Sequence, residues 1–128
     1  MKITPEFTQL DPTAFDRYFY NADRKSSVEL YAKISNIFLK NIAARIELLS
    51  KSLDNSENRE AIVVAHQLKG LLLSLGGTQL AEIFRRIELE IDELPLLELK
   101  TILKNAESDL VAFIRELEDW NKLLTNLD

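Results

Sequence analysis

The chain contains one histidine, His66, and no cysteine, which leaves few routes to side-chain chemistry. Without cysteine there are no disulfides, thiolate ligands or thiol nucleophiles, and a lone histidine makes no recognisable metal cluster. An imidazole ordinarily titrates near pH 6.5, at about pKa 6.5, so at neutral pH it offers a nitrogen lone pair that needs no activating base. The run Ala65-His66-Gln67-Leu68-Lys69-Gly70 adds two further signals. On a helix Lys69 is a surface neighbour of His66 and supplies a cation for an anion placed on the ring. Gly70 costs about 1 kcal/mol relative to alanine in a helix interior, a cost that is explained if another backbone must approach the imidazole closely. No P-loop or nucleophile elbow is present.

A helical wheel advancing about 100° per residue places Ala61, Val64, Ala65, Leu68, Leu71, Leu72 and Leu75 opposite His66. The histidine therefore points away from the core. On its own side lie Ile62, Val63, Lys69, Gly70 and Leu73, so the sequence predicts an outward apolar patch centred on an imidazole.

The elements that carry this patch are legible from sparse punctuation. Prolines occur only at 5, 12 and 95, and the three glycines lie between Gly70 and Gly77, a pattern of long uninterrupted helices. Ser26-Ser27-Val28-Glu29 has capping-box spacing and predicts a helix from near Ser27. Its stripe of Tyr31, Ile34, Phe38, Ile42, Ile46, Leu49 and Leu53 ends before the connector Asp54-Asn55-Ser56. The histidine helix follows and stops at Gly76-Gly77. Thr78 is the expected cap of a third helix, with Leu80, Ile83, Phe84, Ile87 and Ile91 on one face as far as Leu94. Pro95 suits the first turn of a fourth, whose stripe runs from Leu99 through Phe113 and Trp120 to Leu124. Ahead of these, Pro12 to Asn21 is expected to form a short helix packing Phe15, Tyr18 and Phe19 across one end. The expected fold is all-α, an antiparallel up-down-up-down four-helix bundle at 26–128 preceded by an arm and short helix at 1–25.

Composition sets outer limits. At 128 residues and 46% hydrophobic the chain matches one domain with an ordinary core. Sixteen basic against 21 acidic residues give a net charge of −5, the wrong sign for overall attraction to nucleic acid or anionic lipid. No apolar stretch is long enough to span a bilayer and the amino terminus lacks an h-region, so the expectation is a cytoplasmic monomer with neither nucleic-acid nor membrane partners.

The residues 65 to 70, followed by Leu75-Gly76-Gly77, Leu80 and Ile87-Glu88, resemble the signature of histidine-containing phosphotransfer (HPt) domains. That signature has a small residue, the phosphoacceptor histidine, any residue, an aliphatic, Lys-Gly, an aliphatic-Gly pair and a hydrophobic-Glu ending. Leu71 and Leu72 depart from the small residues usual in the family, and Gly77 from a commoner alanine, but both leucines point inward on the wheel. The resemblance implies that His66 accepts a phosphoryl group from a receiver-domain aspartate or a kinase and passes it to another receiver. Lys69 would balance phosphoryl charge, and Glu88 would accept from the other ring nitrogen and fix the tautomer. Partners would be the receiver domain of a response regulator, a hybrid sensor kinase, or both, docking over Ile62, Val63, Gly70 and Leu73 with Arg85 at the edge. No cofactor is implied, and no autonomous enzyme activity.

Two other readings compete. Histidine kinases carry an acid directly after the histidine and a proline shortly beyond, whereas Gln67 and Gly70 stand here, and the length leaves no room for an ATP-binding domain. A helical-bundle adaptor that binds through the same apolar patch without phosphotransfer is the stronger rival.

Overall fold

A computed structural model describes residues 6–19 and 23–126. Among them are five helices and no strand: α1 (Thr13–Phe19), α2 (Arg24–Asp54), α3 (Asn58–Leu75), α4 (Thr78–Glu90) and α5 (Leu96–Asn126). The all-helical class is as the periodicity predicts. The long helices close a ring in which α2 packs on α3, α3 on α4, α4 on α5 and α5 on α2, while α1 lies across α2 and α3. Their apolar stripes merge into one core that includes Tyr31, Phe38, Leu72, Phe84, Phe113 and Leu117. Fully burying a side chain such as Leu72 or Phe84 is worth about 1.5–3 kcal/mol, so the shared core holds the ring together.

Helix ends depart from the sequence reading where a better partner exists. The cap of α2 is Asp23, whose carboxylate accepts the Lys25 amide at 3.1 Å and the Ser26 hydroxyl at 2.7 Å. The helix therefore starts at Arg24, and the Ser26–Glu29 box is already inside it. Gly77 precedes α4 with no side-chain cap, so Thr78 is the first helical residue. The helix expected to reach Leu94, α4, stops at Glu90, and a turn follows in which the Glu90 carbonyl accepts the amides of both Glu93 and Leu94 at 3.0 and 2.9 Å. Pro95 stands just outside α5 and gives its carbonyl to Glu98 and Leu99. In α1, Phe15 and Phe19 are buried against Tyr31, but Tyr18 is exposed beneath the Arg17 guanidinium. The expected end of α1 at Asn21 lies outside the described residues.

One pole of the ring is closed by the segment before α1. Gly76 ends α3 at a φ of 100°, a left-handed conformation that side chains resist. Its carbonyl accepts the Asp11 amide at 2.7 Å. The Tyr31 hydroxyl donates to the Leu75 carbonyl at 2.7 Å, and burial pushes that phenol well above its ordinary range, keeping it a donor. On the other side of the segment, the Glu116 carboxylate accepts the amides of Thr8, Gln9 and Leu10 and the Thr8 hydroxyl at 2.8–3.0 Å.

Candidate phosphotransfer site on α3 and α4

Two fully buried residues place the site. Ala65 and Ile87 have no exposed surface, and a neighbour on a helix lies about 100° round from the one before it. With Ala65 fixed against the core, His66 emerges at the rim of α3; with Ile87 fixed, Glu88 emerges at the facing rim of α4. The buried alanines Ala61, Ala65 and Ala81 carry the smallest side chains that still favour a helix, which lets the two helices approach closely.

Across that approach, Glu88 Oε1 lies 2.9 Å from His66 Nδ1 and Glu88 Oε2 accepts Lys69 Nζ at 3.1 Å. The imidazole is 64% exposed while Glu88 is only 17% exposed. Burial alone pushes the Glu88 carboxyl upward, but the bonds to Lys69 and His66 outweigh it, and the group lies below its ordinary value. Glu88 is therefore an anion under the ring. An anion at Nδ1 favours the tautomer with its proton there, which leaves the lone pair on Nε2. No described residue bonds Nε2.

The family profile of the Hpt domain matches residues 33–127. The chain belongs to the Hpt domain family. Comparison with curated proteins and with solved structures gives no match. The matched span begins within α2 and takes in the three remaining helices of the ring, so this Hpt domain holds its histidine on the second helix of the match.

Other residues singled out in the sequence fall at different depths. Val63 is 50% exposed, and Gly70 is exposed with nothing within 4 Å of the position a Cβ would take. Ile62 and Leu73 are half-buried against the core rather than turned fully outward; both lie on the Lys69 side of His66, the flank on which α4 brings up Glu88. Leu71 is likewise half-buried, whereas Leu72 is wholly inside. Lys69 is not a free cation, because Glu88 holds it. Arg85 is exposed and pairs with Glu82 at 3.4 Å, not with His66 or Glu88. The sequence reading missed Arg45 of α2, whose guanidinium donates to the Gln67 side chain beside the histidine. Nothing in the spacing of α2 marks that contact. Among the described residues no group of acidic or histidine side chains is arranged to hold a metal, and no helix is long and apolar enough to cross a membrane.

Proposed function

We propose that this Hpt domain carries a phosphoryl group on Nε2 of His66 between receiver-domain aspartates of a two-component relay in the cytoplasm. The observation that carries the reading is an exposed imidazole whose Nδ1 is engaged by a carboxylate while Nε2 is open. In the forward step the Nε2 lone pair forms the N–P bond as the P–O bond to the receiver aspartate breaks, and the aspartate leaves as a carboxylate. The Nδ1 proton stays in place, so the phosphorylated ring is cationic and the Glu88 anion opposes that charge. Lys69 pivots from Glu88 toward the phosphoryl oxygens as charge develops there. Return of the group to a second aspartate runs the same step backward, and the ring is regenerated without a base.

The receiver docks on Val63 and the open backbone at Gly70, with Ile62 and Leu73 exposing an apolar edge and Arg85 at the rim. The two-residue link Gly76-Gly77 and the short α2–α3 and α4–α5 connectors support an up-down-up-down course for the four long helices, since a parallel return needs a long crossover. A receiver carrying a radiolabelled aspartyl phosphate, incubated with the protein, tests the reading. Acid-labile, base-stable label on the wild type and none on His66→Gln is the expected result. Association without label would make the protein an adaptor.

A further inference from the structure

One flank of α2 has a periodicity of which the core uses only Ile34. Leu30, Ile34, Ile37, Asn41, Ala44 and Leu48 follow one another at alternating spacings of four and three residues, the seam spacing of a coiled coil. The seam runs about 27 Å along the helix. Leu30, Ile37 and Leu48 are 49%, 45% and 37% exposed, Asn41 and Ala44 are exposed, and Ile34 is half-buried. Ile34 packs against the core at one edge of the stripe, while Leu30, Ile37 and Leu48 keep much of their surface in water. Core burial by α2 is centred about 110° further round the helix, on Tyr31, Phe38, Ile42 and Leu49, so apart from Ile34 this second stripe is surplus to the fold.

In place of the monomer expected from the sequence, we propose that the α2 seam pairs with the same seam of a second copy in an antiparallel, two-fold dimer. The stripe is complementary to its own reverse. Setting Leu30 against Leu48 of the partner subunit brings Ile34 against Ala44 of the partner subunit and Ile37 against Asn41 of the partner subunit, so each large side chain on one helix meets a partner and the two asparagines flank the axis. A single polar residue in such a seam fixes register. Charge agrees with the same arrangement. Lys33 and Glu47 are exposed on one flank of the seam, and the antiparallel register brings Lys33 beside Glu47 of the partner subunit twice, against one approach of Lys40 to its own copy at the axis. The other flank is closed to a parallel pair, because Tyr31 and Phe38 there are buried and Arg45 is committed to Gln67. A two-fold operation makes every contact away from its axis twice, the commonest geometry of homo-oligomers.

A seam of one helix is a small interface, so association belongs at high protein concentration. Sedimentation equilibrium from about 10 μM to about 1 mM, a range that brackets weak dimers, should show the mass rising from monomer toward dimer without any receiver present. Ile37→Glu should weaken the association at least tenfold, and Ile37→Gln should do so in part; circular dichroism checks that both remain folded. The absence of native cysteine gives a register test. Leu30→Cys and Leu48→Cys proteins should each fail to form disulfide-linked dimers alone and form them when mixed under oxidation. A monomeric mass across the whole range overturns the proposal, as does cross-linking of either single-cysteine protein to itself, which signals a parallel pair. A monomer whose Ile37→Glu variant loses receiver phosphotransfer also overturns it and assigns the seam to the receiver.

Discussion

Glu88 on α4 lies 2.9 Å from Nδ1 of His66 on α3, across two helices joined only by Gly76 and Gly77. One carboxylate thereby meets both the imidazole of the candidate nucleophile and the Lys69 ammonium. Glu88→Ala should release the ring, shift it toward the tautomer with the proton on Nε2, and slow phosphotransfer at least tenfold, about 1.4 kcal/mol in the barrier. Glu88→Gln keeps an acceptor without the charge and should fall between. Nitrogen chemical shifts of the imidazole report the tautomer, and an unchanged tautomer in Glu88→Ala would remove Glu88 from the positioning role.

Gly70 and Gly76 should respond to alanine with opposite signs. A Cβ at Gly70 meets nothing within 4 Å, so Gly70→Ala should stabilise by about 0.5–1 kcal/mol through helix propensity and a less free unfolded chain. At Gly76 the Cβ would come within 2.5 Å of the Asp11 carbonyl oxygen at a φ of +100°, so Gly76→Ala should destabilise by about 1–3 kcal/mol. Thermal melts of the two variants give both signs. Gly70→Gln, although also folded, should impede receiver docking.

The docking patch separates by depth. Val63→Asp should weaken receiver binding at least tenfold and leave the melting temperature nearly unchanged, because half of the side chain is already in water. Leu73→Asp should lose binding and stability together, since Leu73 packs on the core. Calorimetric titration with a receiver, paired with melts, distinguishes the two variants.

Acid should loosen the segment held by Glu116. Burial pushes this carboxyl upward, but three backbone amides and the Thr8 hydroxyl outweigh it, and the group lies below the ordinary 4.5. With its native pKa lowered, Glu116 contributes fully above about pH 4.5, and the contribution is lost as pH falls through the lower native value. Glu116→Gln should therefore be less stable than wild type at neutral pH by about 1–2 kcal/mol, and the gap should narrow on acidification. A gap independent of pH would show that the charge is irrelevant to the clamp.

The helices and the outward histidine were legible because periodicity along one helix fixes which way a side chain points. Contacts between elements follow no such period. Glu88 was found because family resemblance marks it. Arg45 beside Gln67, the sharing of Glu88 with Lys69 and the clamp by Glu116 are meetings of polar side chains from different helices, or from opposite ends of the chain. Depth was misjudged for the same reason: a wheel gives the direction of Ile62 and Leu73 but not the neighbouring helix that half-covers them. Asp23 displaced the Ser26 capping box because its carboxylate accepts both the Lys25 amide and the Ser26 hydroxyl from three residues before the first serine.

The bonds between Glu116 and Thr8, Gln9 and Leu10 join positions 106 to 108 apart in sequence, and the acceptor for Asp11 is the turn that ends α3. Closing so long a loop is entropically costly until both anchors exist. The segment must then dock late, after α3 has stopped at Gly76 and α5 has packed to present Glu116. It should also be the first part to let go. Native-state hydrogen exchange would find the amides of Gln9, Leu10 and Asp11 opening in one cooperative unit, well ahead of those beside Phe84 and Phe113, so that the amino-terminal strap samples release while the histidine face stays assembled.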